Sequence, residues 1–245
     1  MLVIAHRGAT ENALENSWSA FEQAVNIGCD RIELDVRLTK DNIPIVMHDH
    51  SLKRTCSKNG LVSKLRYDEI KLIKLKNGEP IPLFSEVLEH FAPKIELNVE
   101  LKGNSNELAS IVGEIAKNSQ HKDQVILSAF SEKPLLYLKQ HYPGLKRAVL
   151  WGYDTLRSHP LYFFNPIWFL RNCSTNVFHP EAELLSSNLM SRLKGNDLII
   201  YPWVPMKGED SSNTHQLWKK MLQFKVHGLC TNKPRELSKF LTSKD

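Results

Sequence analysis

Ile95-Glu96-Leu97-Asn98-Val99-Glu100-Leu101-Lys102 alternates four aliphatic side chains with four polar ones. An extended chain sends successive side chains to opposite faces, so Glu96, Asn98, Glu100 and Lys102 share one face and the aliphatic residues share the other. A polar interior face is unusual. In a barrel of parallel strands the outer face meets the helices and must be apolar, which turns the polar face inward. Its C-terminal end then opens on the mouth where such barrels carry their active sites.

The rest of the chain fits that architecture. Short apolar runs alternate with helical patterns almost from end to end, the signature of repeated βα units. Eight candidate strands start at Leu2, Asp30, Ile95, Val125, Lys146, Thr175, Asp197 and Gly228. The expected fold is an α/β TIM (β/α)8 barrel, and 245 residues suit a single domain over 1–245. The first helix is the clearest, with a start at Glu15-Asn16-Ser17, a stripe of Trp18, Phe21, Ala24 and Val25, and a stop at Gly28. Residues 49–82 break the repeat with Lys58-Asn59-Gly60, an amphipathic stretch and Asn77-Gly78-Glu79-Pro80. They read as a small insertion after the second strand unit, with too few apolar residues for an independent core, lying over one mouth of the barrel.

Composition narrows the class. Hydrophobic residues make up 42% and charged residues 24%, ordinary values for a globular protein. The net charge of +5 is spread along the chain rather than gathered in a basic tract, which argues against nucleic acid as a partner. Cys29, Cys56, Cys173 and Cys230 are widely separated and form no CxxC pair, so they read as reduced thiols. The N-terminus shows no secretory pattern, and no apolar stretch approaches the roughly 20 residues of a membrane span. A cytoplasmic location is the expectation. Leu161-Tyr162-Phe163-Phe164-Asn165-Pro166-Ile167-Trp168-Phe169-Leu170 is the nearest to such a stretch. It either caps the barrel core or offers a weak contact to an acyl chain or membrane interface, and burial is the expectation because exposed aromatic clusters are uncommon.

Chemistry concentrates at strand ends. In Arg31-Ile32-Glu33-Leu34-Asp35-Val36-Arg37, Glu33 and Asp35 point the same way, and inside a barrel they would repel unless a cation held both as anions. Glu100 is a third candidate ligand, with Lys102 beside it as a cation for phosphate. His6 ends the first strand and His48 ends the extended run Ile43–Met47, so both imidazoles reach the same mouth, with Arg7 next to the first. Carboxylates for one divalent cation, cations for phosphate and two imidazoles for proton transfer are the parts of a phosphate-ester hydrolase. Hard oxygen ligands favour Mg2+ or Ca2+ over zinc. His179, at a late strand end, is a candidate on the substrate side, and His50 reads as solvated.

These residues also resemble a known signature. His6-Arg7-Gly8, Glu15-Asn16, Glu33-x-Asp35, His48-Asp49 and Asn98-x-Glu100-x-Lys102 are similar, in order and spacing, to the glycerophosphodiester phosphodiesterase family. Leu52-x-Arg54-Thr55, Ile81-Pro82-Leu83, Ser128-x-Phe130, Trp203 and Gly228-x-x-Thr231-x-x-Pro234 extend the likeness over nearly the whole chain. The resemblance implies a TIM barrel, a divalent cation on Glu33, Asp35 and Glu100, and His6 and His48 as the acid–base pair. It further implies phosphate binding by Arg7 and Lys102, a site lined or braced by Glu15 and Asn16, and hydrolysis of a small glycerophosphodiester to sn-glycerol 3-phosphate and an alcohol. The chain departs from the family near its C-terminus, with Trp203-Val204-Pro205-Met206 where the family often has Trp-Thr-Val-Asn, and Thr231-Asn232-Lys233-Pro234 where it often has Thr-Asp-x-Pro. These departures are expected to leave the catalytic set untouched and to reshape the leaving-group wall around Trp203. Two alternatives stand beside this reading: lysophospholipase D-type hydrolysis of longer lipids, and a barrel that binds phosphodiesters without catalysis.

Overall fold

A computed structural model describes residues 1–206, 209 and 213–243. Nine strands form: β1 (Leu2–His6), β2 (Arg31–Leu38), β3 (Pro44–Val46), β4 (Glu96–Leu101), β5 (Val125–Ala129), β6 (Lys146–Trp151), β7 (Val177–Pro180), β8 (Ile199–Ile200) and β9 (Gly228–Thr231). Eight of them run parallel in the order β8-β7-β6-β5-β4-β2-β1-β9, and β3 pairs antiparallel with β2 outside the ring. The chain beyond β8 closes the ring on β9, with the Cys230 N–H donating to Pro202 O at 2.8 Å and the Val204 N–H to Cys230 O at 2.9 Å. The architecture is the expected TIM barrel. Several ladders begin one or two residues later than the apolar runs do. Ile95, for instance, still donates its N–H to Phe91 at the end of the preceding helix.

Register fixes which side chains meet. His6 is paired with Glu33, Glu33 with Asn98, and Asp35 with Glu100. Paired residues on parallel strands share a face, so these groups project together into the barrel. The opposite faces carry Val3, Ala5, Ile32, Leu34, Val36, Leu97, Val99 and Leu101, all in the main core with Phe21, Phe84, Leu88 and Phe91 from the helices. Helix Trp18–Ile27 starts where Ser17 Oγ accepts the Ala20 N–H and ends at Gly28 in the left-handed conformation (φ +79). Gly8 is a close-approach glycine: a Cβ there would lie 2.7 Å from Ala20 Cβ. That contact, with φ +87, explains the glycine after His6-Arg7.

The inserted segment contributes Leu52, Val62, Ile70, Ile73, Leu75 and Ile81 to a second apolar cluster, completed by Ile45 and Met47 from the run around β3. The aromatic segment is divided. It forms helices Pro160–Phe164 and Pro166–Asn172, in which Tyr162, Phe169 and Leu170 are buried while Leu161, Phe164 and Trp168 are exposed. Burial therefore holds for one face only, because two short helices broken at Asn165-Pro166 cannot turn every aromatic toward the barrel. All four cysteines are unpaired. Among the described residues no helix is long and apolar enough to cross a membrane.

Candidate active site

A cavity of about 100 Å³ opens at the C-terminal mouth, lined by His6, Arg7, Glu33, His48, Glu100 and Lys102 on one side and by Phe130, Leu150 and Trp203 on the other. Asn98, Asp154, His179 and Cys230 complete its lining. Most of the residues singled out in the sequence thus converge on one space. Asp35, Glu15 and Asn16 stand behind it.

The acidic centre comes from β2 and β4. One oxygen each of Glu33, Asp35 and Glu100 lies within 4.8 Å of the others, and all three residues are buried. Burial, together with the charges of Asp35 and Glu100, pushes the Glu33 pKa well above the usual range. Burial also raises Glu100, although Lys102 opposes it. Asp35 goes the other way, because Lys102 and Arg7 outweigh its burial. Its Oδ1 is buried without a hydrogen bond. Three enclosed carboxylates that repel one another, one with an oxygen that accepts no hydrogen bond, fit a hard divalent cation. The Lys102 ammonium lies 2.7 Å from Glu100 Oε1 and 3.4 Å from Asp35 Oδ1, so in this structure it neutralises the carboxylates.

Asn16 braces Asp35 directly, its Nδ2 donating to Asp35 Oδ2 at 2.7 Å and its Oδ1 accepting the Asp35 N–H at 3.3 Å. Arg7 and Asn16 both adopt left-handed backbone conformations, with φ of +58 and +54. Such strain in non-glycine residues costs roughly 1–3 kcal/mol each and is kept where surrounding contacts impose it. Here the Arg7 N–H donates to Glu33 Oε2 and the Asn16 N–H to Arg7 O, both at 2.9 Å.

The two imidazoles are held differently. His6 Nδ1 lies 2.7 Å from Asn232 Oδ1. The Asn232 amide nitrogen donates to the carbonyls of Val204 and Pro205, at 3.4 and 3.3 Å, which turns the amide oxygen toward His6 and assigns the ring proton to Nδ1. Nε2 is left as an acceptor, 3.9 Å from Glu33 Oε2. Burial, reinforced by the Arg7 charge, holds the His6 pKa down to about 3, so the ring is neutral at pH 7. His48 instead has a carboxylate behind it, with Asp49 Oδ1 2.7 Å from Nδ1. Arg54 grips Asp49 through Nε at 2.6 Å and also donates to both oxygens of Glu15, which in turn accepts from Arg7 Nη1 at 2.9 Å. Burial lowers the His48 pKa against the raising effect of Asp35, and Lys102 and Arg7 add to the lowering. Burial alone would raise Glu15, but Arg54 and Arg7 bring it below the usual range.

One expectation is overturned. The C-terminal departures do reach the residues expected to be catalytic, since Asn232 is the residue that holds the His6 ring. The two lie 226 positions apart and meet because β1 and β9 are neighbours, with Ala5 paired to Thr231. The Thr231-x-x-Pro234 landmark marked the neighbourhood, but nothing local to Asn232 revealed its partner. Phe130, Leu150 and Asp154 were likewise unassigned. Phe130 follows β5, Leu150 lies near the end of β6 and Asp154 on the helix after it, so they come from the two strands that follow β4 in the ring. Trp203 takes its place on the apolar wall, its Nε1–H donating to Trp151 O at 3.3 Å and its ring meeting Phe130 edge-on at 5.7 Å.

Comparison with known proteins adds a family. The model of the glycerophosphoryl diester phosphodiesterase family matches residues 6–236. A glycerophosphodiester phosphodiesterase of Caldanaerobacter subterraneus is 31% identical, with 96% of each chain covered. A human lysophospholipase D is 29% identical over 97% of this chain and 85% of its own. Among solved structures, a phosphodiesterase of Oleispira antarctica in complex with the product sn-glycerol-3-phosphate superposes with a TM-score of 0.84 at 23% identity, covering 99% of this chain and 97% of that one. At that identity the likeness establishes the fold.

Proposed function

Since this chain belongs to the glycerophosphoryl diester phosphodiesterase family, a family of hydrolases, we propose that it hydrolyses glycerophosphodiesters to sn-glycerol 3-phosphate and an alcohol as a single barrel domain over 1–245. The observation that carries this reading is the buried carboxylate cluster of Glu33, Asp35 and Glu100 beside two neutral-leaning histidines in one cavity. These three side chains would hold one Mg2+ or Ca2+, which when bound supplies Lewis-acid polarisation of a phosphoryl oxygen. Arg7 and Lys102 share the charge that develops on the phosphate. His6 Nε2, unprotonated at neutral pH, takes the proton of the attacking hydroxyl while the phosphorus–oxygen bond to the leaving alcohol breaks. His48 gives that oxygen a proton. An entering phosphodiester anion offsets the Lys102 and Arg7 charges that hold His48 down, which favours its protonated form in the complex. The neighbour bound to sn-glycerol-3-phosphate supports the assignment of product. The four unpaired cysteines support a reducing, cytoplasmic setting.

The attacking hydroxyl is either water or the 2-hydroxyl of the substrate's own glycerol, which would gain from proximity. Release of sn-glycerol 3-phosphate from several glycerophosphodiesters, with Mg2+, Ca2+ or chelator, tests the main reading, and no turnover under any condition sinks it. A second reading, hydrolysis of lysophospholipids, is favoured by the exposed Tyr153, Leu161, Phe164 and Trp168 on the helices that follow β6, and by the human lysophospholipase D relative. Turnover of lysophosphatidylcholine above that of glycerophosphocholine, lost when these four side chains become serine, would decide for it.

A further inference from the structure

The floor of the cavity carries polar atoms that the reaction does not use. Asn98 and His179 are each 1% exposed, and both line the cavity. Neither the amide oxygen nor the amide nitrogen of Asn98 has a hydrogen-bond partner, and His179 Nε2 has none. Buried polar atoms are nearly always paired, because leaving one dry forfeits the hydrogen bond it had with water. Three such atoms on one small cavity wall therefore point to a ligand that completes them.

Their depth says which part of the ligand. Asn98 is paired with Glu33 and stands one inward step below Glu100 on β4, two residues or about 6.6 Å nearer the floor. His179 is paired with Leu150 on β6 and packs edge-on against Tyr201, whose ring belongs to the apolar plug formed with Ile4 and Cys230. Lys102 and the Glu100 carboxylate lie above this layer, so a phosphate bound there keeps the adjacent 2-hydroxyl at its own level. Only the far end of the three-carbon chain reaches down. Burial and the charge of Arg31 hold His179 neutral, with its pKa lowered to about 3, so its ring offers one N–H and one lone pair at working pH.

We propose that Asn98 and His179 form the binding site for the terminal hydroxyl of the glycerol moiety and make the enzyme selective for glycerol diesters over diesters of propane-1,2-diol. A hydroxyl both gives and receives a hydrogen bond, matching an amide opposite a neutral imidazole. A methyl group in its place can pair with neither the amide nor the imidazole. This inference rests on the phosphodiesterase reading.

The test is a cycle of kcat/KM on the metal-loaded enzyme with a glycerol diester and its propane-1,2-diol counterpart, which keeps the 2-hydroxyl and loses only the terminal one. The wild type is expected to lose about 10- to 100-fold on the deoxy substrate. His179→Phe keeps a ring of similar size. It is expected to lose a similar factor on the glycerol diester, mainly through KM, and nothing further on the analogue. His179→Gln, which places an amide near the former Nε2, should recover part of the discrimination. In case a variant fails to fold, calorimetric binding of sn-glycerol 3-phosphate against propane-1,2-diol 1-phosphate to the wild type reads the same preference. Losses that multiply, or a wild type that binds and turns over both compounds equally, overturn the assignment and leave the phosphodiesterase reading standing. A wild type that cleaves neither diester overturns both.

Discussion

The barrel interior has two unlike halves. On β2 and β4 the inward positions carry Arg31, Glu33, Asp35, Glu96, Asn98 and Glu100, whereas across the barrel Val177, Ile199, Tyr201, Trp203 and Cys230 cluster with Ile4. The polar half gathers the groups that bind charge. The apolar half keeps water away from them, and in such surroundings each electrostatic contact is stronger than it would be in solvent. A site that polarises phosphate needs both, since carboxylates alone would be hydrated and an apolar wall alone would bind no anion.

The largest effect should come from breaking the polar half at its centre. Glu100→Gln is expected to lower kcat on the order of 10⁴-fold, the scale of several kcal/mol of lost charge stabilisation. It should also abolish the rise in Tm that Mg2+ or Ca2+ gives the wild type. A cation response equal to the wild type's would remove Glu100 from the ligand set. Next comes proton transfer, where His6→Ala should cost about 10³-fold in kcat. Asn232→Ala should cost about 10- to 100-fold, because the imidazole loses the acceptor that sets its tautomer. In a His6→Ala background the same Asn232 change should cost nothing more, since residues acting as a unit are not additive. Multiplying losses would show that Asn232 acts by another route.

The apolar half should respond more gently. Trp203→Ala is expected to raise KM about tenfold with kcat largely kept, as binding energy is removed equally from ground and transition states. The last effect is on acid stability rather than on turnover. His179 is the polar intruder on the apolar side, and its folded pKa near 3 lies below the ordinary 6.5 because burial disfavours the charged ring. A depressed folded pKa contributes stability that is complete above pH 6.5 and is lost as pH falls toward 3. By pH 4.5 the loss is on the order of 2 kcal/mol. Urea midpoints at pH 7 and pH 4.5 should fall further for the wild type than for His179→Phe, and equal falls would show that other groups govern acid unfolding.

The two halves were not equally legible in the sequence. The polar half announces itself, because Glu33-x-Asp35 and Asn98-x-Glu100-x-Lys102 write their inward faces in a two-residue period on single strands. The apolar half reads like any buried strand, so Leu150 carried no mark of facing a site and Phe130 only that of the Ser128-x-Phe130 landmark. The aromatic segment shows the same limit. Its composition was plain, yet which aromatics pack on the core and which face solvent depended on how two short helices settle against β6.

What the sequence determined by itself is whatever depends on neighbours along the chain. That covers the alternating faces of the strands, the Ser17 and Gly28 ends of the first helix, and the set of acids, cations and imidazoles at strand ends. Tertiary structure decided what depends on register and closure. It set Asn232 against His6, linked His48 to Arg7 through Asp49, Arg54 and Glu15, and left Asn98 and His179 facing the same floor. The physical reason is range. Side-chain direction follows from local backbone geometry, whereas a hydrogen bond across 226 residues exists only once eight strands have closed into a ring.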